Sequence, residues 1–133
     1  MNLPERFIVV DDDRTSNMIC EFVFRRFSST TEVKTFVDPD DALQFIKDFY
    51  IDPEFNTPTL FFLDINMPML TGWDFLDIFN GLSEHIRQQF IIYILTSSIE
   101  QKDLEKAEAN PLVRGLLSKP LSASIIKGIF TPD

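Results

Sequence analysis

A chain of 133 residues with 44% hydrophobic side chains has room for one packed core, not two, and is too apolar to remain disordered. Its formal charge of −9, from 21 acidic against 12 basic residues, argues against a nucleic-acid partner and for a protein or a cation. A single cysteine cannot form an internal disulfide, the start carries no secretion signal, and no apolar run nears the roughly 18 residues a membrane span needs, so a cytoplasmic protein is expected.

The first apolar run, FIVV at 7–10, reads as a strand and leads into Asp11, Asp12 and Asp13. Residues 13–27 follow with helical spacing: Met18, Ile19, Phe22, Val23 and Phe27 recur at intervals of three and four and predict the buried face, with Cys20 as core. A second strand is predicted at 33–37. The segment DPDDALQFIKDFY then opens a helix with Asp38 as N-cap and Pro39 at the first helical position, where the missing N–H costs nothing.

After the connection YIDPEFNTP, the run LFFL at 60–63 predicts a third strand, closed by Asp64. GWDFLDIF is a helix expected to stop at Asn80-Gly81, and GLSEHIRQQ is read as plain connection, with His85 a solvated loop residue rather than a phosphocarrier. A fourth strand at 90–95 leads into Thr96, and a polar, weakly patterned helix lies within IEQKDLEKAEA. A fifth strand at 113–117 precedes Ser118 and Lys119, and a last helix runs from a Ser122 N-cap almost to the end.

The strand runs are continuous and rich in β-branched and aromatic residues, as parallel strands covered on both faces require. Strict β-α alternation implies right-handed crossovers and a single α/β domain over 1–133: a five-stranded parallel sheet with helices on both faces. Such sheets bind ligands beyond the carboxyl ends of their strands. The residues there are Asp11 to Asp13, Asp64, Thr96, Ser118 and Lys119.

Each has a structural explanation when taken singly: a capped helix start, a strand-end threonine, a surface lysine. Together they suggest chemistry. Two carboxylates about 5 Å apart repel by about 3 kcal/mol at an effective dielectric near 20, so the cluster calls for a cation or for Lys119. Magnesium suits a site with few protein oxygens better than calcium, and zinc is disfavoured without histidine or cysteine. With magnesium bound, Asp64 can act as nucleophile toward a phosphoryl group whose charge Thr96 and Lys119 help to carry.

In this order the motifs FIVVDDD, LFFLDINMPMLTGWDFL, IIYILTSS and GLLSKPL resemble those of a response-regulator receiver domain, the phosphorylated switch of two-component signalling, of the single-domain chemotaxis-regulator type. The resemblance implies a flavodoxin-like strand order of 2-1-3-4-5 and a cis bond before Pro120. It implies Asp64 as phosphoacceptor, Asp11 and Asp12 as acidic pair with Asp12 the direct Mg2+ ligand, and Asn66 offering its backbone carbonyl to the metal. Thr96 becomes the switching hydroxyl and Lys119 the phosphoryl-pairing lysine, with Asp13 a helix cap or solvated charge. The implied partners are a sensor histidine kinase or histidine phosphotransfer protein and a downstream protein, met through the face of the fourth helix, fifth strand and fifth helix, phosphorylation-dependent dimerisation being left open. Catalysis is limited to magnesium-assisted self-phosphorylation and dephosphorylation, and a chain ending at Asp133 leaves output to a separate protein.

Two residues depart from that pattern: Leu116 replaces the aromatic usual three positions before the lysine, and Ser97 replaces a common alanine. The first puts the aromatic-rotamer part of the switch in doubt. The alternatives are a flavin carrier, disfavoured by three aspartates where a phosphate-binding loop belongs, and a haloacid-dehalogenase-like phosphatase, disfavoured because its second carboxylate would fall at Asn66. An EF-hand lacks its glycine and terminal glutamate.

Overall fold

In the computed structural model, which describes residues 4–130, β1 (Arg6–Val10), β2 (Glu32–Phe36), β3 (Thr59–Asp64), β4 (Phe90–Thr96) and β5 (Val113–Ser118) form one parallel sheet. Its order is β2-β1-β3-β4-β5, the flavodoxin-like arrangement expected. Val10 lies beside Phe36 and Leu63, Asp64 beside Leu95, and Thr96 beside Ser118. The carboxyl ends of the strands therefore share one rim.

Alternation explains the unbroken apolar runs. Phe7 and Val9 of β1, with Leu60 and Phe62 of β3, pack against Cys20 and Phe24 of α1 (Arg14–Phe27) and Ile126 of α6 (Ala123–Phe130). Ile8 and Val10, with Phe61 and Leu63, pack on the opposite face against Ala42 and Ile46 of α2 (Pro39–Phe49) and Phe75 and Phe79 of α3 (Gly72–Asn80). Each large apolar side chain buried this way contributes about 1.5–3 kcal/mol, and Phe7 and Phe24 also stack with centroids 4.2 Å apart. All six residues of β3 are buried.

The helix starts follow their caps. Asp38 accepts from the Asp40 N–H at 2.9 Å ahead of Pro39, and Ser122 accepts from the Ile125 N–H at 3.3 Å. Asp13 caps α1 by accepting from the N–H groups of Thr15 and Ser16, which decides between its two expected roles. α5 (Gln101–Ala109) has no side-chain cap bond at its N-cap Glu100 and buries only Asp103 and Ala107. Among the described residues no helix is long and apolar enough to cross a membrane.

Three expectations need correction. The buried face of α1 is Asn17, Cys20 and Phe24, with Val23 and Phe27 half-buried, whereas Met18, Ile19 and Phe22 are 69%, 41% and 62% exposed. Asn17 sets this rotation: its side-chain N–H groups donate to the carbonyls of Asp11 at 2.9 Å and Phe36 at 3.4 Å, and Cys20 and Phe24 follow three and seven residues on. The connection before β4 is not plain. Ser83 caps a single turn, α4 (Glu84–Arg87), by accepting from the Ile86 N–H, and Ile86 is buried, so six helices rather than five stand among the described residues. His85 sits on this turn, half-buried, its Nε2 2.8 Å from the Asp52 carbonyl oxygen, and so ties two connections together instead of lying free in solvent.

Candidate functional site

The buried carboxylates Asp11 and Asp64 stand at the ends of the two central strands, with the exposed Asp12 beside them. One oxygen from each of the three lies within 4.8 Å of the others. Lys119 leans in from the end of β5, its Nζ 2.5 Å from Asp11 Oδ2 and 3.5 Å from Asp64 Oδ2. Asp64 Oδ1 accepts from the Asn66 N–H at 3.1 Å, and Asp11 Oδ1 from the Asp13 N–H at 2.9 Å. Four of the sequence-predicted residues thus meet at one point, and Asn66 joins them through its backbone.

Thr96 is placed differently. It is fully buried at the adjacent strand end, but its hydroxyl donates to the Ser98 carbonyl at 3.1 Å and accepts from the Ser98 N–H at 3.3 Å. Its backbone carbonyl accepts from the Lys119 N–H at 2.8 Å, which binds the ends of β4 and β5 just before the cis Lys119–Pro120 bond. The threonine hydroxyl is therefore close by in the fold and engaged elsewhere.

Burial dominates the electrostatics. It pushes the Asp64 carboxyl up to about 6, with the Asn66 N–H and Lys119 opposing and Asp11 adding to the rise. Burial raises Asp11 too, but Lys119, the Asp13 N–H and Ser16 together outweigh it and hold that carboxyl below its ordinary range. For Lys119 burial works against the charge, and the two aspartates more than compensate, raising the ammonium. The donor set fits a hard cation, being entirely carboxylate oxygen. Asp11 Oδ2 is buried and has the Lys119 ammonium as its one close cationic partner, so a bound cation would share that oxygen with the lysine or displace it.

The model of the response regulator receiver domain family matches residues 7–130. The chain belongs to that family. Its structure is similar to a two-component response regulator from Cytophaga hutchinsonii, with a TM-score of 0.86 and 25% identity over 97% of this chain and 96% of that one. It is similar also to a response regulator receiver protein from Dyadobacter fermentans, at 0.83 and 27% over 93% of each chain. The chemotaxis response regulator CheY4 of Vibrio cholerae shares the fold at 0.73 and 20%, over 96% of this chain and 97% of that one. No curated protein matches the chain by sequence.

Leu116, beside Ile94, is half-buried and packs against the apolar cluster on the α2–α3 face. Cys20 is inert core, its thiol pushed up to about 12 by burial, with Asp11 adding to the rise.

Two residues that shape the site were not singled out from the sequence. Asn17 holds the Asp11 carbonyl, and its signal was the asparagine standing three and seven residues before Cys20 and Phe24. Gly72 opens α3 against the acceptor strand. A Cβ there would lie 2.7 Å from the Asp64 carbonyl oxygen and 2.8 Å from Ile65 Cα, both backbone atoms that cannot swing aside. Gly72→Ala is expected to cost roughly 1–3 kcal/mol in urea unfolding, as overpacking does, and to displace Asp64; an unchanged midpoint would show that the loop yields freely.

Proposed function

We propose that this receiver domain is a magnesium-dependent phosphoacceptor in which Asp64 takes a phosphoryl group from a sensor histidine kinase or a histidine phosphotransfer protein. The observation that carries the reading is the buried Asp64 carboxylate held against Asp11 and Asp12 with the Lys119 ammonium bridging Asp11 and Asp64.

Asp11, Asp12 and Asp64, with the Asn66 carbonyl, would hold Mg2+, which when bound supplies positive charge for the oxygens of the incoming group. The Asn66 N–H fixes one Asp64 oxygen, and an Asp64 oxygen attacks phosphorus in line as the P–N bond to the donor imidazole breaks. Lys119 then faces a phosphoryl group carrying more negative charge than the carboxylate it replaced. Thr96 exchanges its bond to the Ser98 carbonyl for one to a phosphoryl oxygen, which frees the segment leading into α5. Leu116 offers no aromatic rotamer, so the change runs through this backbone to the face built by α5, β5 and α6. Output follows by protein contact, from a stoichiometric acceptor in the cytoplasm rather than a turnover enzyme.

A phosphohistidine donor loaded with radiolabelled phosphate is expected to pass its label to this chain with magnesium and not with EDTA. Transfer that survives chelation would refute the metal's role. Asp12→Asn offers a second check. Removing one of three crowded carboxylates is expected to raise the melting temperature of the metal-free protein and to shrink the stabilisation by magnesium, measured by differential scanning fluorimetry. An undiminished magnesium response would move the metal elsewhere.

A further inference from the structure

Three large apolar side chains stand in water where α2 runs into its connection to β3. Phe49, the last residue of the helix, and Ile51 and Phe55 beyond it are 64%, 62% and 66% exposed. The Phe49 ring rests on that of the half-buried Phe45, centroids 4.8 Å apart, so the aromatic packing on this side of α2 continues outward to solvent.

The connection is clamped from beneath. The buried Gln89 donates to the Tyr50 carbonyl at 3.0 Å and accepts from the Thr57 N–H at 2.8 Å. His85 Nε2 lies 2.8 Å from the Asp52 carbonyl oxygen, to which the Phe55 N–H also donates at 3.2 Å. A partner landing here has little backbone to order, and apolar side chains of this size grouped in water mark an interaction surface. With these backbone groups engaged, an added strand finds little to pair with, and recognition falls to the side chains.

Charge selects the occupant. The exposed Asp48, Asp52 and Glu54 are interleaved with the apolar residues, against Lys47 alone among residues 47–55. These carboxylates are solvated and need no counter-charge of their own. They repel a second copy of this chain and an anionic lipid surface, and they attract a cationic partner. We infer that this surface docks a cationic amphipathic helix of another protein, with its apolar stripe on Phe49, Ile51 and Phe55 and its arginines or lysines against Asp48, Asp52 and Glu54. The surface lies at the amino ends of the strands: Pro58 leads into β3, and its carbonyl accepts from the Glu5 N–H ahead of β1 at 2.9 Å. Asp11, Asp64 and Lys119 stand at the opposite, carboxyl ends, so a helix held here leaves the acidic cluster open and tethers the chain whatever the state of Asp64.

The test is titration of the full chain with an amidated leucine–lysine peptide patterned as an amphipathic helix, followed by proton–nitrogen NMR without magnesium or phosphoryl donor. It therefore reads this surface whether or not Asp64 is a phosphoacceptor. Saturable shifts of the amides of residues 49–55 are expected, with binding about tenfold weaker for the matching leucine–glutamate peptide and in Phe49→Ser and Phe55→Ser. Equal binding of the two peptides to the wild type would overturn the inference even if a variant failed to fold. So would binding undiminished in both variants, or shifts confined to residues around Asp12, which would assign the cationic peptide to the acidic cluster. Concentration-dependent shifts of residues 49–55 without peptide would give the surface to a second copy instead. Shifts with phosphatidylcholine–phosphatidylglycerol vesicles but not with the cationic peptide would give it to lipid, and either result overturns the inference.

Discussion

Asp64→Asn is expected to abolish phosphoryl uptake from acetyl phosphate and magnesium, while the wild type gains one base-labile phosphoryl group by intact-protein mass spectrometry. The loss should be complete rather than partial because an amide has no anionic oxygen with which to attack phosphorus. No nearby group is placed to substitute cleanly. Asp11 is held by Lys119 at 2.5 Å and by the Asp13 N–H, and Thr96 is a neutral hydroxyl bonded to Ser98. An equal mass gain in both proteins would eliminate Asp64 as the acceptor. A residual gain in Asp64→Asn that mapped to Asp12, the exposed member of the cluster, would contradict complete loss and show that a neighbouring carboxylate can take the group when Asp64 is gone.

The same substitution should stabilise the metal-free protein by about 3 kcal/mol at neutral pH. Raising the Asp64 carboxyl from 3.8 to about 6 means that the folded state binds a proton more tightly than the unfolded state does. The contribution of Asp64 to stability is therefore fully present below pH 3.8, falls as pH rises toward about 6, and is absent above that. Asp11 runs the other way: its lowered carboxyl adds stability above its ordinary range and loses it only in more acidic solution. Urea unfolding of wild type and Asp64→Asn without divalent metal should give a gap that is closed near pH 3.8, opens through pH 6 and is constant beyond. A gap independent of pH, or a variant less stable than the wild type at neutral pH, would show that Asp64 is comfortable as a buried anion.

The sheet was legible because β1, β3 and β4 carry one signal twice over, apolar on both faces and closed by a polar residue at the rim. For β3, β4 and β5 the strand in fact extends one residue further than the apolar run, through Asp64, Thr96 and Ser118, since backbone pairing does not stop where hydrophobicity does. The cluster of Asp11, Asp12, Asp64 and Lys119 was readable from strand ends alone. The rotation of α1 was not, because a buried asparagine outranked three exposed apolar residues, Met18, Ile19 and Phe22, and periodicity assigns no value to hydrogen bonds with backbone carbonyls. The turn at Glu84–Arg87 was hidden for a related reason: one serine cap and one buried isoleucine are too little pattern to separate from a loop. The hydroxyl of Thr96 was expected at the site, and its bonds to Ser98 lie beyond anything residue spacing can express.

β3 is the one strand of the five in which every residue is buried. A strand paired on both edges and sealed on both faces behaves as an anvil, and its amide protons should exchange only when the whole molecule unravels. Under the proposed function, mounting Asp64 at the end of this fully buried strand would present any phosphoryl donor with a target at a fixed height. Under that same proposal all yielding would be delegated to the periphery, with the message written in the centre and read only from the side.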